Sequence, residues 1–84
     1  MDWGEIKMKI KYDQQADAVY IYLSDKPYAY GKELDNERRI DYSEDNIAIG
    51  VELLSVSKGV NPDDLPKQDK IIEILEQNHI KVFA

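Results

Sequence analysis

The sequence predicts an α+β domain: an antiparallel four- to five-stranded β-meander with one C-terminal helix packed on one face. Three observations carry this. Apolar residues alternate with polar ones through most of residues 8–56, which is the period of a half-buried strand. The only helical periodicity comes after residue 65. Strands first and a helix last is the order of an α+β fold, since βαβ crossovers would interleave them.

Met8-Lys9-Ile10-Lys11-Tyr12 alternates apolar and basic residues and predicts the first strand. Asp13-Gln14-Gln15-Ala16-Asp17 supplies turn formers. Ala18-Val19-Tyr20-Ile21-Tyr22-Leu23 is rich in β-branched and aromatic residues and completes a hairpin. Ser24-Asp25-Lys26-Pro27 reads as the next turn, and residues 28–35 as a weaker edge strand. Arg38-Arg39-Ile40-Asp41-Tyr42 follows the turn Asn36-Glu37. Ser43-Glu44-Asp45-Asn46 turns into Ile47-Ala48-Ile49-Gly50-Val51-Glu52-Leu53, the strongest strand of the chain.

The character changes beyond residue 56, and 57–65 reads as a connector. Within it Asn61-Pro62-Asp63-Asp64 has the composition of a helical first turn, where oxygen and negative charge face orphan N–H groups. A helix is predicted over 66–78. Ile71, Ile72, Ile74 and Leu75 cover roughly 160° of its wheel, and Asn78 is the expected left-handed cap. Residues 79–84 read as a tail or a short strand. The whole is one small domain: 84 residues leave no room for two.

Alternation assigns two sheet faces. Met8, Ile10, Val19, Ile21, Leu23, Ile40, Ile47, Ile49, Val51 and Leu53 form the apolar set that the helix should cover. The opposite set holds Lys9, Lys11, Ala18, Tyr20, Tyr22, Arg39, Asp41, Ala48, Gly50 and Glu52. Tyr20 and Tyr22 beside Ala48 and Gly50 are the candidate interface. A ring lying over a small residue shields bare sheet, and Tyr is enriched at protein interfaces. The same rings also serve as ordinary cross-strand packing.

The formal net charge is −6, from 17 acids and 11 bases. A phosphate-backbone binder needs a basic stripe, so direct nucleic-acid binding is not expected. There is no Cys and therefore no thiolate metal site or disulfide. No run approaches the length of a membrane span, and the first residues lack the form of a signal peptide, which predicts a cytoplasmic protein.

Catalytic and metal motifs are weak. Asp41, Ser43, Asp45 and Glu52 fall on positions 1, 3, 5 and 12 of a calcium loop, but position 6 is Asn46 and the flanks are strands. A hairpin turn is the better reading. Asp13 and Asp17 read as turn and capping residues. His79, the sole His, suits a helix C-terminus and lacks zinc co-ligands. Arg38-Arg39 reads as a solvated strand start. No catalytic, cofactor-binding or metal residue is assigned, and no cofactor is expected.

Met8–Asp13 with Ala16–Asp25, and Ile40–Ile47 with Ile49–Leu54, resemble an uncharacterised family of small bacterial and archaeal proteins, the domain-of-unknown-function family 2283. The likeness covers about residues 8–58. Family members usually begin near the equivalent of Met8, so residues 1–7 read as an extension. Their acidic turn usually has Gly where this chain has Asn46. The resemblance carries no activity. It implies a small sheet domain acting with a partner protein, and some relatives look like the antitoxin half of toxin–antitoxin pairs.

The residues and the resemblance together point to a non-enzymatic protein-interaction module. Its expected partner is a second copy or another protein, such as a basic toxin met by an acidic antitoxin-like surface. The alternative is a small carboxylate- or metal-dependent hydrolase using Asp13, Asp17, Asp41 or Glu52. That reading requires at least two of these carboxylates to converge in one pocket.

Overall fold

The structure, a computed structural model, describes residues 8–83. The extension expected over 1–7 lies outside the described residues, as does Ala84. Five strands form one antiparallel sheet: β1 Lys9–Asp13, β2 Ala18–Tyr22, β3 Tyr30–Asp35, β4 Arg38–Tyr42 and β5 Ala48–Leu54. A 3-10 turn at Val56–Lys58 and one helix, α1 Gln68–Gln77, follow. The α+β expectation holds.

The meander does not hold over the whole sheet. The strand order is β1-β2-β5-β4-β3. β3, β4 and β5 follow one another as a meander, but β2 pairs with β5 and not with β3. The reason lies in β5. Ile49, Gly50, Val51 and Leu53 are all buried, and a strand covered so fully needs neighbours on both sides. β3, with exposed Lys32 and Glu33, takes the edge instead. The segment from β2 to β3 crosses one end of the sheet. It hangs there from strand carbonyls: Leu23 and Ser24 N–H donate to Ile49 O at 2.9 and 3.3 Å, and Ala29 N–H to Tyr42 O at 2.8 Å.

The core lies between one sheet face and the C-terminal layer. Val19, Ile21, Ile40, Val51 and Leu53 meet Val56, Val60, Leu65, Ile71, Leu75 and Ile80. Ile47, expected in this set, is 45 % exposed, and Ile49 is buried outside the core cluster. A register shift explains both. Asp41 pairs with Gly50 but Tyr42 pairs with Ala48, so β5 carries an extra residue at Ile49 and its alternation inverts there.

The β4–β5 turn is built by Ser43, whose N–H donates to Ile47 O while its hydroxyl bonds the Asp45 carboxylate. Asn46 takes φ 66° and keeps the turn that the resemblance usually builds with Gly. At the other end of the sheet, Asp17 joins the two layers. Its carboxylate accepts Ser57 N–H at 2.9 Å and the Ser57 hydroxyl at 2.6 Å, and its carbonyl accepts Val56 N–H.

The connector is tighter than a helical first turn. Asn61 Oδ1 accepts Asp63 N–H, and Asp64 sits at φ 66°. Leu65 precedes Pro66, which disfavours helix at that residue, so α1 begins only at Gln68. Ile71 and Leu75 are its buried residues. At its C-terminus Ile80 N–H reaches back to Leu75 O at 2.9 Å and His79 N–H to Glu76 O at 3.0 Å, a Schellman motif with both Ile80 and Leu75 buried. The left-handed residue is His79 (φ 61°) and not Asn78 (φ −101°), which instead donates its side-chain amide to Ile74 O. Beyond it Val82 forms a single parallel bridge with Val60.

Candidate interaction face

The sheet face away from α1 is crossed by no element among the described residues. Strand pairing arranges its side chains in rows. One row reads Lys9, Tyr22, Gly50, Asp41, Gly31 and the next Lys11, Tyr20, Glu52, Arg39, Glu33, in the order β1, β2, β5, β4, β3.

Both glycines in the first row are floors for a neighbour's side chain. A Cβ at Gly50 would lie 1.9 Å from Tyr20 Oη, and one at Gly31 would lie 2.3 Å from an Arg39 guanidinium nitrogen. Glycine inside a strand often marks such a close approach. Asp41 stands between the two glycines and holds both covering groups. Its Oδ2 accepts the Tyr20 hydroxyl at 2.8 Å and its Oδ1 accepts Arg39 Nε at 3.1 Å. Arg39 also donates to the Tyr28 hydroxyl at 2.9 Å. Tyr22 meets Tyr20 edge-on, with centroids 4.7 Å apart. The result is a continuous polar chain, Tyr20–Asp41–Arg39–Tyr28, lying on the sheet with rings at both ends.

Burial, followed by the hydrogen bond to the Asp41 carboxylate, pushes the Tyr20 hydroxyl well above the ordinary tyrosine range. The same carboxylate raises the Arg39 guanidinium. Tyr20 is therefore a fixed donor. Tyr22 and Tyr28 are 38 % and 56 % exposed and face solvent.

Of the four expected interface residues, Tyr20, Tyr22 and Gly50 come together here. Ala48 does not. The register shift pairs it with Tyr42, and both pack against the helix-side core. Arg39 and Asp41, expected on this face but not in the interface, complete it together with Gly31 and Tyr28, which were expected in neither. The two strand glycines were the available indication. Arg38 is also not a solvated residue. Its side chain is 11 % exposed and bonds Asp35 at 2.9 Å and the carbonyls of Asn61 and Asp63.

The carboxylates considered for hydrolysis do not share a pocket. Asp13 accepts Ala16 N–H in the β1–β2 turn, Asp17 is bound to Ser57, and both Asp41 oxygens are engaged. Glu52 lines a shallow cleft that holds none of the other three. The calcium-like spacing is split between strand, turn and strand, with Ser43 and Asp45 bonded to each other. Among the described residues no three His, Asp or Glu side chains are grouped to hold a metal.

Residues 9–57 match the family described as protein of unknown function (DUF2283). The chain belongs to that family. The DUF2283 match spans all five strands and ends at Ser57, the residue that Asp17 holds. It therefore covers the whole open face and stops before α1. No curated protein and no solved structure matches the chain. Among the described residues no helix is long and apolar enough to cross a membrane.

Proposed function

We propose that this DUF2283 protein is a non-enzymatic interaction module that presents its open sheet face to a partner protein. The observation that carries the reading is the Tyr20–Asp41–Arg39–Tyr28 chain seated on two glycines, flanked by exposed Tyr22. Rings and a guanidinium fixed before binding lose little freedom on binding, and Tyr and Arg are the side chains that dominate interface energetics. The net charge of −6 favours a basic partner by speeding encounter, as an antitoxin-like role with a basic toxin requires.

The test is purification from the native host, identification of any stable co-purifying protein, and calorimetry with that protein made recombinantly. Tyr22→Ala should weaken binding roughly tenfold or more, the effect of truncating a central aromatic anchor. Tyr20→Ala should do at least as much, because it also releases Asp41 and Arg39. A lone species, or an affinity unchanged by both substitutions, would refute the proposal.

A further inference from the structure

The sheet has two edges, β1 and β3, and they differ in kind. β3 is blunted. Its pairing slips between Glu33 and Asp35, and Lys32 stands in the core-side row beside Ile40. A bulge is one device that keeps an edge from pairing with another chain, and β1 has none. Its register with β2 runs unbroken from Lys9–Tyr22 to Asp13–Ala18, and among the described residues no strand lies on its other side.

The core-side row also stops unfinished at β1. Ile10 pairs with buried Ile21 and is only half-buried, and Tyr12 pairs with buried Val19 and is 38 % exposed. An added strand would cover both.

We propose that the added strand is β1 of a second copy, paired antiparallel about Lys11. Antiparallel partners share a face, so a two-fold axis must pass through one residue of the strand. Only Lys11 uses all five residues. This register sets Ile10 against Tyr12 of the second copy and Lys9 against Asp13 of the second copy, each pair occurring twice. The first is a β-branched–aromatic pair on the core side, and the second an opposite-charge pair on the open face. Lys11 meets Lys11 on the axis, with Asp13 of the second copy diagonal to it. The joined sheet has ten strands and one continuous open face, so each assembly presents two copies of the tyrosine chain. A single five-residue edge buries less than a long-lived dimer needs, so the pairing is reversible and concentration-dependent. It uses a different surface from the partner-binding proposal and is tested separately.

Sedimentation equilibrium of the wild type from about 1 μM to about 1 mM, the range of small transient interfaces, should show monomer and dimer. Lys11→Glu provides the decisive mixture. An equimolar mixture with wild type sets the introduced carboxylate against Lys11 on the axis, in place of two ammonium groups. It should associate roughly threefold or more tightly than wild type alone. Lys9→Asp and Asp13→Lys should each be monomeric over the range, and mixing the two restores both charge pairs and should restore dimer. Circular dichroism of each variant alone reports folding. If one of this pair fails to fold, the Lys11→Glu mixture still decides. Tyr22→Ala should leave self-association unchanged. A wild type monomeric throughout, or mixtures no tighter than their components, would overturn the pairing and leave the open-face reading standing.

Discussion

Replacing Gly50 by Ala tests how the open face is built. The new Cβ would lie 1.9 Å from Tyr20 Oη and 2.4 Å from Cζ, so the ring must swing off the sheet. Moving it breaks the 2.8 Å bond to Asp41 and the edge-on contact with Tyr22. A hydrogen bond to a charged group contributes about 1.5–3 kcal/mol, and the lower figure applies on a half-open face. The ring contact adds about 0.5–1.5 kcal/mol. Against these, Ala is better than Gly in a strand by roughly 0.5–1 kcal/mol. The net cost is about 1–2.5 kcal/mol, and each kcal/mol lowers the melting temperature of a domain this size by roughly 4–8 °C. The assay is a double-mutant cycle with Tyr20→Ala, read by urea denaturation. With the ring gone, Gly50→Ala has nothing to displace and should stabilise by roughly 0.5–1 kcal/mol. The substitution thus changes sign with its background. An equal cost in both backgrounds would refute the view that Gly50 exists to seat Tyr20.

Two further outcomes follow from the same geometry. His79 holds the left-handed position of the α1 Schellman motif, where Gly bears no Cβ penalty, so His79→Gly should raise stability by about 1 kcal/mol in urea melts, whereas Asn78→Gly should lower it. The pH profile of stability should fall at both ends. Tyr20 ionises at a higher pH folded than unfolded, so its contribution is complete below pH 10.0 and is lost as pH rises above that value. Asp35 is lowered by Glu37 N–H and then Arg38, and Asp45 by the Ser43 hydroxyl and then Lys26. Their contribution is present above the ordinary value of 3.8 and disappears as pH falls below it. Urea midpoints across the range check this, and Tyr20→Phe should flatten the alkaline limb alone.

Much of the fold is legible locally. The β1–β2 hairpin follows from two alternating runs around Asp13–Asp17, and the β4–β5 turn from Ser43–Asn46. Those features are decided by neighbours in sequence. The place of β5 is not, because pairing with β2 is a matter of which strand most needs two partners. Its nearly continuous burial through Ile49–Leu53 is the trace such a strand leaves. Ala48 and Ile47 were misplaced by one extra residue, since alternation has no means of announcing a bulge before the register is known. The open face was half legible. Tyr20 and Tyr22 stand out by type, but Asp41 and Arg39 look like any solvated pair until Gly31 and Gly50 are read as space left for them.

The position of β5 also sets a schedule for synthesis. The β1–β2 hairpin leaves the ribosome before β5, and isolated hairpins are marginal in water. Its inner strand and the residue after it read Ala18-Val19-Tyr20-Ile21-Tyr22-Leu23, six residues without a charge or a proline. That composition is prone to cross-β association when its edge is bare. In the finished sheet β1 and β5 cover both sides of it. During translation one side stays bare until β5, about thirty residues later, has emerged to pair Ile21 with Val51. Pairing with β5 closes that side, so the segment most hazardous to the nascent chain becomes an interior strand of the native one.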